Sequence, residues 1–596
     1  MLIQRPSTRP ILLRLGIVLL ATATIAAACG SDDDSGGDGG DSAGGAANTL
    51  VVLHADIAEG LDQDGSSTGQ IQLAEMSANL YDTLFAYPAE LRDDGIYIPD
   101  YNVDQSSYVP VLAESYENDG MTWTVKLRDG VESCAGNTMT ADDVVWSFER
   151  AKAAAGVSNF GWFMGYASGI LPIDPVLEGA DDAAKQLLET EVRKVDELTV
   201  EITQLYPNEL FPRLFTVPMG TAIFDKTEAE AHATSDDPYA HEYLEGEGSA
   251  GFGAYCVDSW DKGKEYVLAA NANYWRGAPQ YDEVIIRKVP QNSSRVAAIS
   301  RGDADIVTGL NPEEYAQLEG GSATDVLSWQ NENYTELFFN FGYEPWNLPN
   351  SQLIREAVAY AIPYDEIIKS DYLGKAQMWR SHIPSPANGY SPFGDYETDL
   401  DKAKDLLAEA GFPNGEGLEA FAQGFEMYYP AERGAVLEPL ANRIRTSLES
   451  IGMPVTLHPI PLAEFAGRQT GQRDMGMFIY DFGVPYGTDG GYIYQLFFLD
   501  PEQGALLNGG SYRNPETDEL YLKTAQTVGE ERQQLVDEIY QILMEEDMPG
   551  VPIAEYQAQV AVKKGVSCWV GHPDYQLRFW FLRGGGEPCP PYFGES

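Results

Sequence analysis

Catalysis needs a nucleophile, an acid and base, or a set of metal ligands at workable spacing, and this chain offers few such groupings. Its six histidines, at positions 54, 232, 241, 382, 458 and 572, include no i, i+4 pair, so neither a dedicated zinc or nickel site nor any other cofactor is expected. Ser381 and His382 are adjacent, which is the wrong geometry for a base to serve its neighbour, since acyl-transfer triads are assembled from distant parts of a chain. Gly-x-Ser-x-Gly occurs only at 40–44, inside the Gly/Ser/Asp-rich stretch, and at 65–69, neither directly after a strand pattern as a nucleophile elbow requires, and no Gly-x-Gly-x-x-Gly stretch opens a helix. Asp142 with Asp143, or Glu545, Glu546 and Asp547, could be imagined as carboxylates for sugar hydrolysis. They fall at helix ends or on a solvated face, where acids are ordinary. The expectation is a binder and not an enzyme. Four cysteines, Cys134, Cys256, Cys568 and Cys589, form an even set with three pairings open to it in an oxidising compartment. We favour Cys134 with Cys256, tying two amino-terminal segments, and Cys568 with Cys589, clipping the carboxyl-terminal tail. None of the four has a Cys-x-x-Cys neighbour, which argues against a metal cluster.

The fifth cysteine, Cys29, follows a different logic. Arg5, Arg9 and Arg14 flank an apolar run from Leu15 to Ala28, too short for a comfortable permanent bilayer span, so residues 1–28 read as an export signal. Ala26-Ala27-Ala28-Cys29-Gly30 resembles a lipoprotein cleavage box, with Ala26 where leucine is usual. In that reading Cys29 becomes the first mature residue and carries lipid. The alternative is an ordinary signal cut at Ala28. Residues 29–48, rich in Gly, Ser and Asp, cannot build a core and should form a solvated tether.

What remains is larger than a single core usually supports, so two or more lobes are expected. The 596 residues carry a formal charge of −54, and removing the signal takes away three more arginines and no acid. That balance argues against a nucleic-acid partner, and mutual repulsion favours a monomer.

Short strands and regular helices alternate along the chain. Val51-Val52-Leu53 reads as a first strand, Leu73–Tyr81 as a helix, and Trp123–Leu127 as a strand closed by Asp129-Gly130. Thr140 and Asp143 form a reciprocal cap for the next helix. Residues 191–202 alternate as strand. Helices are expected at Leu353–Ile362, at Lys402–Ala410 with a stop at Gly411, and at Glu531–Met544. An α/β architecture of two open lobes fits this mixture.

The order of motifs resembles a known family. Val109-Pro110-Val111-Leu112-Ala113-Glu114-Ser115-Tyr116, then Asp119-Gly120-Met121-Thr122-Trp123, then Thr140–Arg150 are similar to the signature of solute-binding protein family 5, which includes oligopeptide-, dipeptide- and nickel-binding components of ABC importers. Gly251-Phe252-Gly253-Ala254-Tyr255, Asn271–Gly277, Arg295–Asp305, Arg355–Ile362, Lys404–Gly411, Asn514–Asp518 and Glu531–Pro549 agree further along. The resemblance covers residues 49–570.

It implies a two-lobed, periplasmic-binding-protein-like fold of the class II type, with an extra subdomain in the first lobe. The first lobe would comprise residues 49–80, 240–325 and 552–596, the extra subdomain 81–239, and the second lobe 326–551. It also implies an extracytoplasmic substrate-binding subunit, held to the membrane or cell-wall space by lipid on Cys29, with an ABC permease and its ATPase as partners. The cargo would be a peptide or related organic solute. Alternatives on the same fold are an oligosaccharide, an opine-like compound, a metal chelate, or a sensory role. Carried over from peptide-binding members, Asp481 would pair with a ligand's amino group, fenced by Tyr480, Phe482 and Tyr486. Trp379, Tyr429 and Trp346, together with Tyr428, Trp162 and Phe163, are aromatic candidates for the cleft wall. Arg468 and Arg473 are weaker candidates for a ligand carboxylate.

Overall fold

The computed structural model describes residues 48–65, 71–153, 191–204, 208–209, 211–217, 221–246, 248–394, 396–483, 489–505, 507–524, 526–571 and 577–593. Two large sheets organise these residues. The first has seven strands, in the spatial order Tyr255–Asp261, Glu265–Ala270, Glu283–Lys288, Thr49–His54, Ile306–Val307, Ala558–Lys563 and Thr324–Trp329. At its centre Thr49–His54 runs parallel to both Glu283–Lys288 and Ile306–Val307. Leu50, Val52, Val284, Ile286 and Ile306 are almost wholly buried there, the apolar content that a sheet covered on both faces requires.

The second sheet has six strands, in the order Ala376–Met378, Gly550–Tyr556, Tyr334–Phe339, Met477–Phe482, Glu426–Pro430 and Thr456–Ile460. The helix Ser351–Ala361 packs into this lobe's core through Ile354, Ala357, Val358 and Ala361, the i, i+3, i+4, i+7 stripe of an amphipathic helix. The expected two α/β lobes are these two sheets with their helices. The chain crosses between them at 330–333, and returns at Gln557 between Gly550–Tyr556 and Ala558–Lys563. Lobe edges drawn at 325/326 and 551/552 therefore fall inside strands.

A four-stranded sheet, Ala113–Asn118, Thr122–Leu127, Thr199–Thr203 and Glu191–Asp196, forms an annex with the helix Ala141–Ala153. The alternating stretch 191–202 is thus a hairpin of two strands rather than one strand. Thr140 and Asp143 cap the helix as expected: the Asp143 carboxylate accepts from the Thr140 N–H at 2.7 Å, and Thr140 Oγ1 accepts from the Asp142 N–H at 3.2 Å. The second Asp143 oxygen accepts from Lys226 N at 2.9 Å, which makes this acid structural.

The annex is fastened to the first lobe by the Cys134–Cys256 disulfide and by Arg150. That guanidinium is wholly buried and donates to Asp62 at 2.7 Å and Asp64 at 2.6 Å. Gly253 permits a further close approach, since a Cβ there would lie 2.5 Å from the Leu80 carbonyl carbon. Cys568 and Cys589 are also disulfide-bonded, closing the tail whose Trp580 and Phe593 sandwich the Arg276 guanidinium. Among the described residues no helix is long and apolar enough to cross a membrane.

Candidate solute cleft

A cavity of about 720 Å³ lies between the two sheets. Its floor on the first-lobe side is made by the carboxyl ends of parallel strands, the usual place for a ligand in open α/β sheets. His54 ends one such strand, and Thr308 follows another. His54 Nε2 lies 2.8 Å from Glu75 Oε1 and its Nδ1 lies 2.5 Å from Thr308 Oγ1. Both ring nitrogens are therefore engaged, and the imidazole is fixed at the cavity wall. Asn292, Asn311 and Tyr315 add polar and aromatic surface beside it.

The facing wall comes from the second lobe. Asp481 lies on the strand Met477–Phe482, directly opposite Thr335 in the antiparallel pair with Tyr334–Phe339. Thr335 Oγ1 donates to Asp481 Oδ1 at 3.3 Å, and Arg433 donates to Oδ2 through Nε at 3.0 Å and Nη2 at 2.6 Å. Arg433 Nη2 also lies 3.2 Å from the Tyr556 hydroxyl. Tyr556 stacks on Tyr372 with ring centroids 5.1 Å apart and planes 13° from parallel. The Tyr372 hydroxyl is 2.5 Å from Thr335 Oγ1, which closes the network.

Within this network the Asp481 charge holds the Arg433 guanidinium firmly protonated, while burial pushes the phenols of Tyr372 and Tyr556 upward, so both remain neutral. Exposure then separates the two charges. The Asp481 side chain is 1% exposed, whereas that of Arg433 is 48% exposed and borders the cavity. Of this pair, the member open to the cavity is the positive one.

The residues singled out from the sequence are distributed unevenly around this site. Asp481 lines the cavity. Tyr480, one residue earlier on the strand, faces the other side of the sheet, where it packs 5.0 Å from Phe497. Trp379 packs against Tyr334 with ring centroids 4.3 Å apart and planes tilted by 34°, and donates its indole N–H to Ile383 O. Trp346 is fully buried against Phe339 and donates to Gly424 O, and Tyr429 sits in the same second-lobe core. These three rings are packing elements away from the cavity wall, because large flat side chains gain most from complete burial. Tyr428 stacks on His458 at 4.8 Å. Arg468 pairs with Glu464, and Arg473 donates to Asn508 O. The Phe482 side chain, and Tyr486, Trp162 and Phe163 entirely, lie outside the described residues. Ser381 and His382 are buried, and His382 Nδ1 lies 2.5 Å from Glu336, so they form no nucleophilic pair.

Arg433, Tyr372, Tyr556 and His54 were not anticipated. Arg433 sits in a short turn after Glu426–Pro430, 48 positions before Asp481, and nothing local distinguishes it from a surface arginine.

Comparison with known proteins fits this geometry. The profile of the bacterial extracellular solute-binding proteins, family 5 Middle, matches residues 107–503. The heme-binding protein A of Haemophilus influenzae is 25% identical over 483 residues, covering 78% of this chain and 82% of that protein. The dipeptide-binding protein of Escherichia coli is 25% identical over 492 residues, covering 80% and 86%. An ABC transporter-associated periplasmic binding protein from Helicobacter pylori, solved in complex with the peptide STSA, superposes with a TM-score of 0.68 at 23% identity, covering 90% of this chain and 98% of that one.

Proposed function

The chain belongs to family 5 of the bacterial extracellular solute-binding proteins, and we propose that its cargo is a peptide, or a related organic solute, whose carboxylate docks on Arg433. As a family member it is the substrate-binding component of an ABC importer. It works outside the cytoplasm, captures solute between two lobes, and delivers it to a membrane permease. It is not an enzyme, and the transport energy comes from the partner ATPase. A solute that contacts both lobes populates the closed state, because only that state makes both sets of contacts.

The observation that carries the peptide reading is the half-exposed Arg433 guanidinium held over a cavity of about 720 Å³ by a buried carboxylate. Guanidinium binds carboxylate with directed, charge-assisted hydrogen bonds. The Tyr372–Tyr556 pair beside it offers a flat apolar surface for a side chain. Asp481 acts through Arg433. An ammonium group would have to displace the guanidinium to reach it. The same contact suits a carboxylated non-peptide such as an opine-like compound, and mass spectrometry of co-purifying solute separates the two.

Titration by intrinsic fluorescence with di- and tripeptides, their C-terminal amides and their N-acetyl forms tests the reading. Loss of a charge-assisted bond is worth about 1.5–3 kcal/mol, so amidation should weaken binding roughly ten- to a hundredfold. N-acetylation should matter less. Arg433→Gln should abolish the distinction between acid and amide. Equal affinity of the wild type for free acids and amides would overturn the Arg433 assignment. We further infer that Cys29 carries the lipid that keeps the protein at the membrane face.

A further inference from the structure

The crossover 330–333 contains a carboxyl group that the cleft does not use. Glu332 is wholly buried, and among the described residues neither of its side-chain oxygens has a hydrogen-bond partner. A carboxylate left so would face a desolvation penalty of several kcal/mol.

Its surroundings come from both sides of the hinge. The charges that act on it belong to Arg213, in the turn Phe211–Thr216 of the annex, and to Glu555 and Asp489 of the second lobe. Glu555 is engaged with Gln377 and Ser385, and Asp489 caps the helix Gly490–Phe497 and pairs with Arg532 at 2.7 Å. The annex moves with the first lobe, to which Cys134–Cys256 and Arg150 fasten it. Yet it also touches the second lobe: Gly529 N donates to Glu209 at 2.9 Å, and Phe211, Leu214 and Phe215 share a hydrophobic cluster with Tyr492, Ile493 and Val536. Separating the lobes must part these contacts between annex and second lobe and open the crossover that carries Glu332 to water.

We propose that Glu332 takes up a proton from bulk solvent when the lobes close and releases it when they open, so that closure of the cleft is coupled to external acidity. In the closed arrangement the neutral acid is the form compatible with a wholly buried site that offers its oxygens no protein donor. In the open arrangement the hydrated carboxylate is stable. Burial holds its carboxyl well above the ordinary value of 4.5, and Arg213 opposes that shift while Glu555 and Asp489 reinforce it. Because folded closed protein binds the proton more tightly than open protein, closure is favoured at low pH and lost as pH rises.

Hydrogen exchange of the full-length, solute-free protein tests this without reference to the cargo. Protection of the segments 211–217 and 526–535, corrected for intrinsic exchange, should fall about tenfold per pH unit from about pH 5 upward, as one linked proton requires, until it levels off. Glu332→Gln cannot ionise and should show a flat, protected profile, and Glu332→Leu should match it. A flat wild-type profile would overturn the proposal. A slope that survives in Glu332→Gln would do the same. So would an equal slope in the core strand Glu283–Lys288, since that would report global unfolding. If neither variant folds, the wild-type slope alone decides.

Discussion

Individual side chains in this protein carry opposite electrostatic duties a short distance apart. Arg433 and Asp481 attract each other across the cleft wall, and the sheet register that places Asp481 opposite Thr335 leaves the arginine as the accessible member. Asp82 shows what burial does to an acid without a basic partner in contact. It accepts from the Tyr274 hydroxyl at 2.9 Å and the Trp275 indole at 2.8 Å, but desolvation dominates and its pKa is pushed up to about 6. A folded value above the ordinary 3.8 means that the fold prefers the protonated form. The associated stability is full below the unfolded value and lost as pH rises through about 6. Asp82→Asn keeps the acceptor and removes the titration. Denaturant unfolding from about pH 4 to about pH 7 should show the wild type losing roughly 3 kcal/mol relative to this variant, and parallel curves would refute it.

Elements here are joined mainly by covalent and close-packed ties rather than by long helices. The disulfide Cys134–Cys256 spans 122 residues, and Cys568–Cys589 spans 21. Loop-closure entropy makes the longer bridge the stronger constraint on the unfolded chain, about 5 kcal/mol against about 3. Paired Cys→Ser substitutions should therefore lower the unfolding free energy more for the first bridge than for the second. Thermal or urea melts that rank them in reverse would show that native-state effects override chain entropy. Helix caps and the strand run of the annex are legible in the sequence because they depend on neighbours along the chain: Thr140 with Asp143 and Trp123–Leu127 both fold as their spacing requires. The single alternating stretch at 191–202 was legible as strand but not as a hairpin, since periodicity of two does not mark where a strand reverses.

At the scale of the molecule, two lobes, an annex and an amino-terminal extension form a receptor with a net charge of −54. Anchoring depends on one residue. If Cys29 is lipidated, the wild type should partition into detergent on phase separation and incorporate labelled fatty acid, whereas Cys29→Ala should appear in the aqueous phase. Equal partitioning of both would remove the anchor.

Local patterns determined a good deal by themselves. Helix caps and strand alternation were set by short-range spacing, because they act over a few residues, and the motif order that resembles family 5 carried the expectation of two α/β lobes. Asp481 could be placed at the cleft by resemblance. Its partner could not. Arg433 lies 48 residues away in sequence, and only the packing of Glu426–Pro430 beside Met477–Phe482 brings the two together. Trp346, Trp379 and Tyr429 show the converse. Their types suit a ligand wall or a core equally well, and the choice between water and interior is made by which face of a folded lobe they meet. Tertiary structure also chose among the three disulfide pairings, since a bond requires proximity in space and cysteine spacing records only distance along the chain.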